Sequence, residues 1–209
     1  MGLVLWTKID TTLEPKLDRK PYEFNPSIIA LFYTIQFIGY LVVSPYCHKL
    51  LQIFNGTLCT LVCFYLLSIA SLMMGPSSIL EKVFPVPETI ALVIPGLFLT
   101  GLATTFTTIG TYHEMQMPFM ELYGGDGSDG RVLLYDKDKF GDILAGLYNS
   151  AYSIGVIIGP ISASYIMIAL GDSFRKMHDI FAAVSLIYAT VLLLIVYIPV
   201  KFKIRKKKR

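Results

Sequence analysis

The sequence predicts an all-α, polytopic membrane protein. Five stretches of the 209-residue chain contain no Asp, Glu, Lys, Arg or His, and a helix needs about 20 apolar residues to cross a hydrocarbon core of roughly 30 Å. Each stretch meets that length, whereas a soluble helix would place charges on its outer face at nearly every turn. The composition agrees, because 54% of the residues are hydrophobic and 16% are charged, against about 25% charged in soluble domains.

The predicted spans follow one another with short polar connections. They are expected at residues 24–47, 50–80, 89–112, 143–171 and 180–200. Residues 1–23 are expected to lie outside these spans, because Lys8 and Asp10 interrupt an apolar run that is already too short to cross the membrane; the resemblance described below implies that they form a truncated helical stub and an outer loop. Residues 201–209 hold seven of the 18 Lys and Arg residues. A basic cluster directly after a span predicts a cytoplasmic C-terminus held at anionic headgroups.

The pattern also indicates which functions are not expected. The predicted spans carry no His, Asp or Glu to act as an acid or base, and no phosphate-binding loop is present, so we expect neither an enzyme nor an ATP-driven pump. Cys59 and Cys63 share a helix face without His or carboxylate neighbours, so no metal ion or other cofactor is expected. The expected partners are the lipid bilayer and a small-molecule substrate, and not a nucleic acid.

Threonines crowd the second half of the third predicted span. Those at helical spacing form a stripe on one face: Thr100, Thr104, Thr107, Thr108 and Thr111. Pro95 lies just before the stripe and removes a backbone hydrogen bond, which bends a helix. A bent, hydroxyl-lined helix suits the wall of a water-filled cavity, and we expect Thr104 and Thr108 to line one. The alternative is that each hydroxyl bonds its own helix and packs against a neighbour.

The fourth predicted span has the features of a closely packed helix. Gly155 and Gly159 make a small-xxx-small face that lets another helix approach. Pro160 then interrupts the hydrogen-bond ladder, a combination that suits a rocking interface. Asn149 is the one amide in this span and Tyr152 lies nearly one turn further on, so both are candidate cavity residues.

Two further polar residues complete the candidate set. Gln36 is the one strongly polar residue of the first span, and it bonds either a substrate or a neighbouring helix. Glu14 lies before that span, in Thr11-Thr12-Leu13-Glu14-Pro15-Lys16-Leu17. Taken alone, Glu14 is an ordinary loop carboxylate.

In their order and spacing these segments resemble the C-terminal half of a major facilitator superfamily transporter, nearest the vesicular amine branch. The matching segments run from the seventh to the eleventh helix of that family: Leu13-Glu14-Pro15-x-Leu17, Ser44-Pro45, Gly75-Pro76, Gly101-Leu102, Gly146-Leu147 and Ser153-Ile154-Gly155-x-x-x-Gly159-Pro160. The resemblance implies a six-helix half with a truncated first helix. It also implies alternating-access transport of a small organic solute, such as a cationic amine or polyamine, with Glu14 facing the cavity.

The resemblance assigns further roles within that half. The substrate cavity would be lined by Gln36, Thr104, Thr108, Asn149 and Tyr152, and helix packing and gating would fall to Pro95, Gly155, Gly159 and Pro160. Thr108 stands where monoamine carriers have an Asp, which favours the polyamine sub-branch or an uncharged substrate.

Three interpretations remain open at this point. Superfamily carriers have two six-helix halves with the substrate between them, so the chain is expected to be part of a longer carrier. Alternatively, it is a half-carrier that pairs with a second copy or a separate half. The third interpretation is a truncated, non-transporting membrane subunit, in line with the short first helix and with the terminal lysines, which resemble a dilysine retrieval signal. Vesicle, endomembrane and plasma membrane all remain possible locations.

Overall fold

A computed structural model of the chain describes residues 1–20, 22–54, 56–77, 89–123 and 137–199. All regular structure in these ranges is helical. The helices are α1 (Gly2–Asp18), α2 (Pro26–Ile53), α3 (Gly56–Met74), α4 (Ile90–Tyr123), α5 (Lys137–Ala169) and α6 (Phe174–Leu192), and α6 continues as a π-helical turn, Leu193–Tyr197. The predicted basic tail, residues 201–209, and residues 78–80 of the second predicted span lie outside the described residues.

Five segments of these helices are long and apolar enough to cross a membrane, which confirms a multi-pass helical membrane protein. They are Pro26–Cys47, Gly56–Met74, Ile90–Met115, Gly141–Ala169 and Phe174–Tyr197. The helix ends differ from the predicted ones: α2 continues through Lys49, and α6 begins six residues before the predicted span. The expectation that no span carries a His, Asp or Glu is therefore wrong, because α6 includes His178 and Asp179.

The segment before the first span is built around the helix α1. At about 1.5 Å per residue, α1 is roughly 25 Å long. Its apolar residues recur every four positions and are at most 1% exposed: Leu5, Ile9, Leu13 and Leu17. This periodicity buries one face of α1 in the bundle and stabilises the helix despite the charged residues beside it. The interpretation of Glu14 as a loop carboxylate is wrong, because Glu14 lies on α1.

The helices form two parallel pairs that run in opposite directions. In the first pair, Leu3 and Thr7 of α1 face Gly155 and Gly159 of α5. In the second pair, α2 lies along α4, where Gly39 faces the Phe98 carbonyl. Exchanging α1–α3 with α4–α6 maps one pair onto the other, and it maps the α3–α6 contact onto itself. The extensive α3–α4 contact has only a sparse α1–α6 counterpart, so the exchange relates the two three-helix segments in part.

Glycine allows the closest of these approaches. A Cβ built at Gly159 would overlap Thr7 Oγ1, and one built at Gly155 would lie 3.1 Å from Leu3 Cβ. A Cβ at Gly39 would likewise overlap the carbonyl oxygen of Phe98. Without side chains at these positions, the paired backbones come close enough for the van der Waals contact that drives association of membrane helices.

Packing divides the bundle into two units. α1 and α5 pack extensively on each other, and α2, α3, α4 and α6 are joined by extensive α2–α4, α3–α4 and α3–α6 contacts. Few backbone positions of the two units approach each other, and α1 meets α6, as α5 meets α4, at only a few points. Side chains nevertheless pack across the boundary, because Leu5 and Ile9 of α1 belong to hydrophobic clusters that include residues of α2, α3, α4 and α6. We call this boundary between the α1–α5 unit and the α2–α3–α4–α6 unit the seam.

Gly159→Ala is expected to lower the free energy of unfolding by about 2 kcal/mol, because overpacking a close contact forces backbone shifts. Gly146→Ala is the matched control, since it lies on the same helix and a Cβ there meets no atom within 4 Å. Thermal or denaturant unfolding in detergent micelles measures both. Equal effects of the two substitutions would contradict the assigned α1–α5 contact.

Candidate solute cavity

A cavity of about 430 Å³ lies on the seam. We call it the central cavity. Its lining comes from both units: Leu3, Trp6 and Tyr152 on one side, and Phe37, Tyr40, Leu41, Thr104 and Thr108 on the other. Three of the six residues predicted to line a cavity are therefore brought together here.

Aromatic rings dominate one wall of the central cavity. The Trp6 ring centroid lies 5.3 Å from that of Phe37 and 6.0 Å from that of Tyr40, and both contacts are edge-on. These contacts cross the seam, because Trp6 belongs to α1 and its partners belong to α2. Aromatic faces attract cations, and Trp does so most strongly.

The threonines of α4 combine the two roles predicted for them, which are lining a cavity and hydrogen bonding within their own helix. Thr104 Oγ1 donates to the carbonyl of Thr100 at 2.7 Å, and Thr107 Oγ1 donates to the carbonyl of Thr104 at 3.0 Å. These bonds satisfy buried hydroxyls within their own helix. Thr104 and Thr108 nevertheless line the central cavity. The carbonyl of Thr108 accepts a hydrogen bond from the Tyr148 hydroxyl at 3.2 Å.

A smaller cavity of about 190 Å³ adjoins the central cavity and shares Leu3, Thr108 and Tyr152 with it. Its additional polar lining includes Thr60, Thr107, Thr111, Tyr148 and Tyr188. The two cavities together provide an apolar and aromatic space with hydroxyl groups at one end. This combination is typical of sites that bind small organic molecules.

Gln36 and Asn149 do not belong to the central cavity. Gln36 is 2% exposed and lies at the α2–α4 contact, where a Cβ at Gly101 would overlap its carbonyl oxygen. Its Nε2 has no hydrogen-bond partner among the described residues. Asn149 is exposed on α5 and is not among the residues that line the cavity. For Gln36, the structure favours a helix-packing position over contact with a solute.

Two carboxylates lie on the same face of α1 as Trp6. Asp10 and Glu14 follow Trp6 at intervals of four residues, and both are exposed. Each interval moves about 6 Å along the helix axis. The Tyr33 hydroxyl of α2 donates to the backbone carbonyl of Asp10 at 3.1 Å and is close enough to interact electrostatically with both carboxylates.

Asp10 was not among the candidate residues named from the sequence, where it counted only as an interruption of an apolar run. The spacing of Trp6, Asp10 and Glu14 identifies a shared face once α1 is known to be helical. Glu14 itself lies beyond the central cavity, towards the end of α1, and does not line it.

The residues predicted to pack or gate are distributed over two helices. Pro95 and Pro160 lie inside the continuous helices α4 and α5. Gly155 and Gly159 face α1, as described above. An apolar hollow of about 250 Å³ near Cys59 and Cys63 is lined largely by aliphatic and aromatic side chains, so it lacks the groups needed to orient a polar solute.

Within the described ranges, no group of three or more His, Cys, Asp and Glu residues is placed to hold a metal ion. No protein-family model, curated protein or solved structure matches this chain.

Gln36→Met is expected to raise the free energy of unfolding by about 1 kcal/mol, because it conserves volume and removes a buried amide nitrogen that has no partner in the described part of the chain. Gln36→Ala removes the same amide but leaves a void, so it is expected to destabilise. Unfolding of both variants in detergent measures the difference. A Gln36→Met variant less stable than the wild type would show that the amide has a stabilising partner.

Proposed function

We propose that this chain forms a six-helix half of a major-facilitator-type carrier, which moves a small organic cation, such as an amine or polyamine, by alternating access. The observation that carries the proposal is the pair of exposed carboxylates, Asp10 and Glu14, on the same face of α1 as the aromatic wall of the central cavity. The inverted pairing of α1–α5 with α2–α4 supports it, because superfamily halves contain such three-helix repeats.

The position of the carboxylates excludes ordinary lipid contact for this face. α1 packs inside a bundle of membrane-spanning helices, and a charged side chain in hydrocarbon costs at least about 2.5 kcal/mol. The face with Asp10 and Glu14 is therefore directed at water or at a covering protein surface. Ionisable residues placed in this way mark substrate or ion pathways in membrane proteins.

The chemistry of the face fits a cation. Asp10 and Glu14 attract positive charge in a region of reduced dielectric constant, where charge interactions are stronger than in water. Trp6 and Tyr40 add aromatic faces further along the same path. Two carboxylates one turn apart favour a solute with more than one positive charge, such as a polyamine.

A second half supplies a mechanism for access. In such carriers the solute lies between two six-helix halves, and exposed residues of this chain, among them Leu41 and Tyr152, line the central cavity. Movement of a second half against this surface opens or closes the site. Rocking of packed bundles around a fixed site is how such carriers expose a solute to each side in turn.

Asp10→Asn and Glu14→Gln are each expected to weaken spermidine binding about tenfold, through the loss of one attractive charge. Binding to the purified protein is measured with labelled spermidine, and uptake is measured in proteoliposomes. Glu23→Gln is the control, because Glu23 is an exposed carboxylate beyond the end of α1. Equal affinities of the wild type and both α1 variants would refute the proposed solute class.

A second candidate is a half-carrier that functions as a pair of identical chains. The exposed face of α5 supports it, because this face combines apolar residues with Asn149 and Tyr152 beside the cavity. A second copy placed over α2 and α5 would cover the carboxylate face and close the central cavity. Only the oligomeric state distinguishes this arrangement from a single longer carrier.

Pairing predicts disulfide crosslinking through α5. The native cysteines, Cys47, Cys59 and Cys63, are all free in the structure and would first be replaced. Ile154→Cys on α5 is then expected to form a crosslinked dimer in membranes. Ile187→Cys on α6 is the control, since the two side chains are 58% and 62% exposed. Absence of a dimer with Ile154→Cys, together with a monomeric mass in detergent, would refute pairing.

A further inference from the structure

A second polar cluster lies inside the bundle, away from the central cavity. Lys8 of α1 and His178 of α6 are both 0% exposed. Lys8 Nζ donates to Ser71 Oγ of α3 at 3.0 Å and lies 4.5 Å from the ring centroid of Phe181 of α6. Lys8 thus makes a polar contact across the seam, from the α1–α5 unit to helices of the other unit.

The surroundings compensate a charge on Lys8 poorly. An ammonium group has three donors, and Lys8 meets one hydroxyl and one aromatic ring. Within the described part of the chain, no carboxylate forms an ion pair with it. Asp10 is two residues from Lys8, so its side chain leaves α1 about 200° around the helix axis from that of Lys8. α3, α4 and α5 carry no charged residue within Gly56–Met74, 89–112 and 143–171. An isolated charge buried in this way is costly.

The nearest other titratable group is a second base. His178 Nδ1 lies 3.0 Å from the Phe174 carbonyl oxygen, and His178 Nε2 has no partner among the described residues. Lys8, and more weakly Lys16, act on this imidazole electrostatically. Asp179 follows His178 but is turned about 100° around α6. Two like charges at this site repel each other, so protonation of one base disfavours protonation of the other.

We propose that Lys8, with His178 beside it, forms a buried proton-binding site that controls the seam. This inference goes beyond the proposed function, because the cluster does not line the central cavity and its action requires no solute. When the seam is closed, Lys8 is a neutral amine that is hydrogen-bonded to Ser71. When a proton binds, the ammonium requires hydration, and the seam opens to admit water.

A polar pocket of about 270 Å³ lies near the cluster, at the end of α1. Its charged lining is Lys16, Arg19, Lys20, Arg175 and Asp172. The Phe174 ring also lines this pocket and packs on the His178 ring with centroids 4.1 Å apart. The Nζ lone pair takes a proton from hydronium and releases water, and the same N–H bond breaks when the proton returns to solvent.

The direction of the effect follows from linkage. A proton binds more tightly to Lys8 in the open, hydrated state than in the closed, buried state, because burial disfavours the charged form. A ligand shifts an equilibrium towards the state that binds it more tightly. Acid therefore favours the open seam, and alkaline conditions favour the closed seam seen here.

Trp6 provides the readout, because it is the one tryptophan of the chain and its contacts with Phe37 and Tyr40 cross the seam. In the purified full-length chain in nanodiscs, lowering the pH from about 9 to about 5, a range in which perturbed lysines titrate, is expected to red-shift Trp6 emission. Acrylamide quenching is expected to increase in parallel. In Lys8→Met both changes are lost, and the emission stays at its alkaline position throughout.

Two controls isolate the cluster. Lys49→Met changes an exposed lysine near the end of α2 that lines neither the cluster nor the adjoining pocket, and the double variant Asp10→Asn with Glu14→Gln removes the carboxylates nearest Trp6. Both are expected to retain the transition. A transition that persists fully in Lys8→Met, or disappears in either control, would refute the proposal.

Ser71→Ala covers the case in which Lys8→Met does not fold. It keeps Lys8 but removes the hydrogen-bond acceptor available in the closed state, so the transition is expected to move to higher pH by about one unit. An unchanged transition in a folded Ser71→Ala variant would also refute the proposal. None of these measurements uses a solute, so their outcome is independent of the proposed transport activity.

Discussion

The contact between α1 and α5 at Gly155 and Gly159 determines the direction of every other side chain of α1. A helix turns by about 100° per residue, so a helix held against α5 at Leu3 and Thr7 has one fixed rotation. With that rotation, Lys8 is directed inwards and Asp10 and Glu14 are directed outwards. The two glycines of α5 therefore set a rotation of α1 that places Lys8 on one face and Asp10 and Glu14 on another.

The five apolar helices could be predicted because charge is excluded from hydrocarbon, and a long stretch without charge is visible in any sequence. The length of α1 was harder to predict, because the same criterion treats Lys8 and Asp10 as interruptions. The signal that identifies α1 is the four-residue repeat of Leu5, Ile9, Leu13 and Leu17, which is a periodicity and not a composition. A helix surrounded by other helices can bury or expose charge in ways that a helix facing lipid cannot.

The candidate site was only partly visible for a related reason. Thr104, Thr108 and Tyr152 lie on faces whose hydroxyl pattern is regular along the helix, and these residues line the central cavity. Gln36 and Asn149 stood out only as isolated polar residues, and an isolated residue does not reveal which way its helix is rotated. The buried cluster was hidden most completely, because Lys8 and Ser71 are 63 residues apart in the chain and meet only through packing.

The two packing units are joined by side chains more than by backbones. Few backbone positions meet across the seam, yet Leu5 and Ile9 of α1 belong to hydrophobic clusters that include residues of the other unit. Packed helices move past each other by small shear steps. A substitution at either side chain therefore changes the fit of both units at once, although it lies in only one of them.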